Sequence, residues 1–329
     1  MRVGIIGTVR IAGTMAETIA AMKNNGEAVE LSAVASRDET KAKDFVNRLC
    51  PDARPVAGYE ELLKDDRVDL VYIATPHSHH ARHMKMCIEH GKAVLCEKSF
   101  TSNAKEAEEV LALAEQKKVP VTEAIWTRYQ PVRKMIDDQV ASGVIGDVKY
   151  LTVDLSYTIA HKERIRRPEL AGGALLDLGV YPINFASMVF GTDVLSVDGV
   201  AMLGETGVDL QETISIRYRN GAMACLSASA LTTSEQRACI CGSDGDIVVE
   251  HMNNPTRIHV HKGREEKPAA TYQVPPQLTG YEYEVRACMR MLETGALECP
   301  EMPHEETIRV MRMMDHLRAQ WHVVYPWEK

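Results

Sequence analysis

The feature that most constrains this chain is a unit repeated through its first third: a short, uninterrupted apolar run, a turn, then a helical pattern. Residues 2–6 lead through Gly7 to a helix near 11–22, and 31–35 lead to one at 39–49. Residues 70–74 precede a helix across 80–90, 93–96 precede one across 103–116, and 119–122 read as a fifth strand. Strands that are apolar on both sides need helices on both faces, which is the layout of a parallel sheet. Right-handed crossovers make that sheet doubly wound. Its ligands collect outside the carboxyl ends of the strands. The chemistry of this half is therefore expected where the strands stop.

Past residue 125 the rhythm changes. Residues 148–158 read as a long strand and 173–190 as a helix. Strand-like runs follow at 194–203, 213–218, 222–230, 237–241, 246–250 and 257–261, with helical patterns again at 281–293 and 305–322. Short turns such as Arg219-Asn220-Gly221 and Ser243-Asp244-Gly245 indicate antiparallel hairpins. We expect two domains, 1–123 and 124–329: an α/β domain around a parallel sheet, then an α+β domain around a large, mainly antiparallel sheet. With helices on one face of that second sheet, the other is left for a second copy of the chain, a homodimer.

A chain of 329 residues is long for one core. Its net charge of −8 argues against a nucleic-acid partner. No run approaches the roughly 18 apolar residues of a membrane span, and a strand beginning at residue 2 leaves no room for a signal peptide. Eight cysteines without a repeated CxxC read as reduced thiols of a cytoplasmic protein. His77, His79, His80 and His83 invite a metal hypothesis, but no nearby carboxylate or cysteine completes a site, so no metal is expected.

Two strand ends carry the functional signal. The first is Gly7, whose tight turn aims free N–H groups of the next helix, across Thr8, Val9, Arg10 and Ile11, at a pyrophosphate. Val9 stands where a second glycine is usual. At the end of the second strand, where an acid would hold a ribose diol, stand Ser36 and Arg37. A hydroxyl and a guanidinium suit a ribose 2′-phosphate, so the expected cofactor is NADP, with NAD possible. Thr75-Pro76-His77-Ser78-His79-His80 should pass under the ribose or nicotinamide, with His77 and His80 as candidates for hydroxyl contacts. The second strand end is the adjacent Glu97 and Lys98, where a lysine is costly unless it is used or paired. In the second half Asp177 and Tyr181, four apart on a helix, share one face behind Gly172 and Gly173.

The segments IGTVRIA, ASR, ATPHSHH, GKAVLCEKS, EAIWTRYQP and GGALLDLGVYPI, in that order along essentially the whole chain, resemble the glucose–fructose oxidoreductase/inositol dehydrogenase/MocA family. Tyr181, where many members carry histidine, resembles the dimeric dihydrodiol dehydrogenase branch, which is NADP-dependent. EKS replaces the usual EKP, so Ser99 stands for the proline that stiffens the turn. The resemblance implies a Rossmann first domain and hydride transfer between a nicotinamide cofactor and a hydroxyl or carbonyl of a sugar, cyclic polyol or vicinal diol. It implies Lys98 near the nicotinamide and substrate hydroxyl, and Tyr181 as acid/base, its pKa of about 10 lowered by the ammonium. Asp177 would orient the pair. Trp126 and Arg128 would wall the cleft, with Trp126 packing on the nicotinamide or a cyclic substrate; Arg167 would reach the nicotinamide amide or a substrate oxygen. Two rival readings are a non-catalytic NADP sensor, favoured by Val9 and Ser99 but opposed by Lys98, Asp177 and Tyr181, and a methyltransferase, opposed by Arg37 and Lys98.

Overall fold

The computed structural model describes residues 1–328. The chain divides into two compact units. The first comprises Met1–Tyr129 together with Gln277–Met311; the second comprises Gln130–Pro276 and the residues from Arg312 on. The division differs from the expected one in that a late segment rejoins the first unit.

In the first unit the elements are β1 (Arg2–Ile6), α1 (Arg10–Asn24), β2 (Glu30–Ser36), α2 (Glu39–Leu49), β3 (Arg54–Ala57), α3 (Tyr59–Leu63), β4 (Leu70–Ile73), α4 (His77–Glu89), β5 (Ala93–Glu97), α5 (Ala104–Lys117) and β6 (Val121–Ala124). The six strands are parallel in the order β3-β2-β1-β4-β5-β6. β4, β5 and β6 are buried at every position, as strands covered on both faces must be. The strand order reverses between β1 and β4, the usual ligand crevice of such a sheet.

The sequence reading overlooked β3, so its fifth strand is the sixth. RPVA is four residues long and carries Pro55, which an edge strand tolerates because one side of its ladder is unpaired. The late segment contributes α9 (Glu282–Thr294). It is tied to the first unit by a Thr18–Thr279 hydroxyl contact of 2.7 Å and by an Arg286–Glu27 ion pair of 2.8 Å.

The second unit begins with α6 (Pro131–Ala141), also missed; its Pro131 sits in the first turn, where proline costs no hydrogen bond. It continues with β7 (Val148–Ser156), α7 (Glu163–Arg166), a π-helical turn Leu175–Gly179 and α8 (Val180–Phe190). There follow β8 (Val194–Leu203), β9 (Asp209–Tyr218), β10 (Met223–Ser229), β11 (Ala238–Gly242), β12 (Gly245–Val249), β13 (Arg257–Lys262) and a short exposed edge strand, β14 (Ala270–Gln273). The eight strands run β14-β13-β12-β11-β7-β10-β9-β8, antiparallel except for the β7–β10 pair. Alternation along β9 buries Ile214, Ile216 and Tyr218 and exposes the residues between them. α8 packs on β7 and β10. The stretch Pro168–Phe190 is apolar and long enough to cross a membrane by composition, but 83% of its most apolar window is buried inside the protein. α10 (His304–Trp321) closes the series of long helices.

Candidate active site

Gly7 ends β1 at a φ of +110°, a conformation costly for a residue with a Cβ. A Cβ there would lie 2.7 Å from the Ala74 carbonyl oxygen, at the end of β4. Glycine therefore lets the ends of β1 and β4 meet at the point where strand order reverses. α1 starts immediately after. Val9 is its N-cap but supplies no side-chain hydrogen bond, and no acid occupies the first turn. Its N–H groups thus keep their partial positive charge for an anion. Val9 replaces the expected glycine without conflict: its φ is −83° and its side chain is 48% exposed. Thr8 and Ile11 are half-buried and Arg10 exposed. Ser36 ends β2, buried, its Oγ accepting the Asp38 N–H at 3.3 Å; Arg37 follows and is exposed.

At the end of β5, Glu97 is buried and its carboxylate accepts the Tyr72 hydroxyl. Burial and that carboxylate together push the Tyr72 phenol far up. Lys98 is half-buried, and the Lys98–Ser99 peptide is cis. Two buried groups hold the turn from outside it. The imidazole of His80 lies between the Ser99 carbonyl, 2.9 Å from Nδ1, and the Thr75 carbonyl, 2.7 Å from Nε2. Glu123, on β6, accepts the Phe100 N–H at 3.1 Å and the Thr307 hydroxyl at 3.1 Å. Burial lifts the Glu123 carboxyl to about 7 and lowers the His80 imidazole to about 4.

His80 is thereby corrected: with both nitrogens engaged in the interior, it positions the Thr75 and Ser99 backbone and offers nothing to a ligand hydroxyl. His77, the first residue of α4, remains half-buried, edge-on to the His80 ring at 5.7 Å. Pro76 caps α4, and the Thr75 hydroxyl bonds His83 Nδ1 at 3.0 Å.

Three arginine and tryptophan assignments change. Trp126 is buried and stacks on Tyr281, with ring centroids 4.3 Å apart and planes 5° from parallel. A Cβ on Gly280 would come within 2.7 Å of the same ring, so the segment leading into α9 covers much of it. Arg128 is similarly taken up by the late segment: its guanidinium pairs with Glu306 at 2.9 Å and donates to the Glu301 carbonyl at 3.0 Å. Arg167 is exposed and paired with Glu163 at 2.7 Å.

In the second unit it is Arg164, not Arg167, that reaches the functional helix, pairing with the buried Asp177 at 2.7 Å. Asp177 lies in the π-helical turn and Tyr181, 8% exposed, in the first turn of α8. A single π turn inside a helix re-aims side chains and often marks a functional site. The two glycines before it admit a close approach of neighbouring groups. A Cβ on Gly172 would lie 2.5 Å from the Ile165 carbonyl, and one on Gly173 would lie 2.4 Å from Asp209 Oδ1. Asp209, fully buried, accepts the Leu175 N–H at 2.6 Å and so fixes the start of the π turn.

Two family models match this chain. The oxidoreductase family with an NAD-binding Rossmann fold (GFO/IDH/MocA) matches residues 1–125, and the GFO/IDH/MocA C-terminal domain matches 129–248. The chain belongs to the GFO/IDH/MocA oxidoreductase family. Its relatives include a trans-1,2-dihydrobenzene-1,2-diol dehydrogenase from Xenopus tropicalis, 36% identical over 90% of this chain and 91% of that one. A D-xylose 1-dehydrogenase (NADP(+)) from Hypocrea jecorina is 34% identical over 90% of this chain and 85% of its own. Among solved structures, a 3-ketoreductase from Actinomadura kijaniata in complex with NADP and TDP-benzene is 26% identical, with a TM-score of 0.86 and 97% of each chain covered. The Lys98 turn and the helix of Asp177 and Tyr181 lie inside the matched GFO/IDH/MocA segments, whereas Gln277–Met311 lies outside both.

Sequence reasoning missed Arg164, Glu123 and Tyr72, each of which acts only through folding. It also missed Glu284 on α9, whose carboxyl is fully buried and pushed far up by burial and by nearby Glu97.

Proposed function

We propose that this member of the family is an NADP-dependent oxidoreductase that moves a hydride between the nicotinamide and a hydroxyl-bearing carbon of a sugar, cyclic polyol or vicinal diol. The observation that carries the reading is one edge of one parallel sheet. There the Gly7 turn leads into the uncapped N-terminus of α1, which fits a pyrophosphate, Arg37 fits a 2′-phosphate, and Lys98 stands on a turn braced by His80 and Glu123. Relatives named as diol and NADP(+)-xylose dehydrogenases support the substrate class.

Gly7, Thr8, Val9, Arg10 and Ile11 would hold the pyrophosphate, and Thr75, Pro76 and His77 the ribose side. A bound nicotinamide would supply the acceptor or donor of the hydride. The chain's own part is proton handling and orientation. Lys98 carries an ammonium that binds the reacting oxygen and favours its anionic form. Tyr181, as a phenolate favoured by that ammonium, takes the hydroxyl proton during oxidation and, as the resulting phenol, returns it during reduction. Asp177, neutralising Arg164, anchors the start of the helix that carries Tyr181.

Exposed apolar side chains on the second sheet, among them Val200 at 69% and Met202 at 50%, support a homodimer through that face. Eight free thiols suit a cytoplasmic location.

The test is Tyr181→Phe, which removes the hydroxyl and keeps the ring. Turnover of a diol or sugar, followed by nicotinamide absorbance, should fall by roughly 10²–10⁴ while NADP affinity is kept. Near-wild-type turnover would move the proton-transfer role to another residue.

A further inference from the structure

The first unit contains a pocket of about 370 Å³ at the carboxyl side of its sheet, and Arg37 is only one of its walls. Tyr59, at the start of α3, forms a second wall, and one face of α4 forms the third. His79, Arg82, His83 and Met86 recur along that helix at i, i+3, i+4 and i+7, so all four point the same way. The rings interlock: Tyr59 meets His83 edge-on at 4.7 Å, and His83 meets His79 at 5.8 Å.

The positive charge in this pocket is carried by two guanidiniums, those of Arg37 and Arg82. Among the described residues neither Arg37 nor Arg82 has a carboxylate within ion-pair distance; Arg37 lies against the Tyr59 hydroxyl. Glu60 and Glu61 stand on the α3 rim, and Glu61 is taken up by Lys64 at 2.7 Å. Both imidazoles are held below their ordinary values, His79 chiefly by burial and His83, also by burial, to about 3. Neutral aromatic rings thus surround two fixed positive charges. A phosphomonoester carries nearly two negative charges and accepts bidentate bonds from guanidinium groups, so one arginine leaves half of it uncompensated.

We propose that Arg82 is a second phosphate-binding arm, closing with Arg37 on the 2′-phosphate of an adenine nucleotide whose base lies against the Tyr59–His83–His79 rings. The assignment rests on the NADP reading above and extends it to a residue on α4 that no strand-end motif marks. It also gives α4 a direct part in choosing between NADP and NAD.

The experiment is calorimetric titration of the intact protein with 2′,5′-ADP and with 5′-AMP, which share the base and differ at the 2′-phosphate. The variants are Arg82→Gln, Arg37→Gln and Arg82→Lys; both arginines are exposed, and thermal unfolding checks each fold. Arg82→Gln should weaken 2′,5′-ADP by roughly 10- to 100-fold, the scale of a charge-assisted hydrogen bond, and leave 5′-AMP within about twofold. Arg82→Lys should recover part of the loss, as a point charge without the fork. Equal weakening of both nucleotides would place Arg82 on the base and overturn the proposal, as would no effect on either. A wild type that binds 5′-AMP as tightly as 2′,5′-ADP would instead overturn the NADP preference itself. Loss of discrimination in Arg37→Gln alone, with Arg82→Gln unchanged, would leave that preference standing and remove only Arg82.

Discussion

His80 is fully buried, with one ring nitrogen facing the Thr75 carbonyl and the other facing Ser99, and burial lowers its pKa from 6.5 to about 4. A neutral imidazole has one N–H and so donates to one of the two carbonyls. The depressed value links this residue to stability. The unfolded chain takes up the proton first, so stability is fully present above pH 6.5 and is lost as pH falls toward 4. The gap corresponds to roughly 3 kcal/mol. In His80→Gln the amide still donates to a carbonyl but does not titrate. Urea midpoints measured between pH 7 and 4 should therefore decline less steeply in the variant than in the wild type; parallel declines would show that His80 is not the titrating brace. His83 moves in the same direction, which is why the comparison is of slopes.

At the scale of elements, the close approach of the ends of β1 and β4 rests on Gly7. Its positive φ alone resembles that of Gly91, at +67°, where a Cβ would meet nothing within 4 Å. At Gly7 the Ala74 carbonyl is also in the way. Gly91→Ala should show only the backbone cost of about 1 kcal/mol. Gly7→Ala should lose more, roughly 2–3 kcal/mol, and should also weaken pyrophosphate binding because β1 and β4 must separate. Equal losses in chemical denaturation would mean that the close approach contributes nothing. The same logic explains the start of the helix that bears Tyr181. Gly172 and Gly173 admit the Ile165 carbonyl and Asp209, and the latter takes the first free N–H of the π turn.

On the scale of the whole molecule, the second sheet keeps one face for α8 and leaves Tyr150, Val200, Met202 and Met223 exposed at 41%, 69%, 50% and 41%. A stable dimer through this face needs about 1,000 Å² or more of buried surface, which a sheet of this width can supply. Light scattering across the micromolar range should give twice the chain mass of 36.6 kDa. Met202→Lys together with Val200→Lys should shift it to the monomer, since a buried lysine without a partner is costly. A wild type that stays at the monomer mass would refute the assignment of this face.

The parallel sheet, the antiparallel sheet and the positions of Gly7, Arg37, Lys98, Asp177 and Tyr181 were legible in the chain because each depends on local pattern. Continuous apolar runs demand two covering layers, and alternating ones demand a single layer. Edge elements escaped that reading: β3 and β14 are four residues each, one holding a proline with a single buried position and the other almost wholly exposed, so neither forms a run of buried positions. Side-chain pairing escaped it altogether. Arg164, in α7, and Arg167, just past its end, are three apart, and only the fold decides that the former meets Asp177 while the latter turns to Glu163. Trp126 and Arg128 resembled walls of a ligand site until Gln277–Met311 returned and occupied them with Tyr281 and Glu306. Glu284, in the first turn of α9, carries no mark in the sequence, yet burial beside Glu97 drives its carboxyl toward the neutral form. The sequence determines which residue types stand at the strand ends. Which of them stay open to a ligand, and which are consumed in the interior, is a matter of long-range packing and desolvation, and only the tertiary structure decides it.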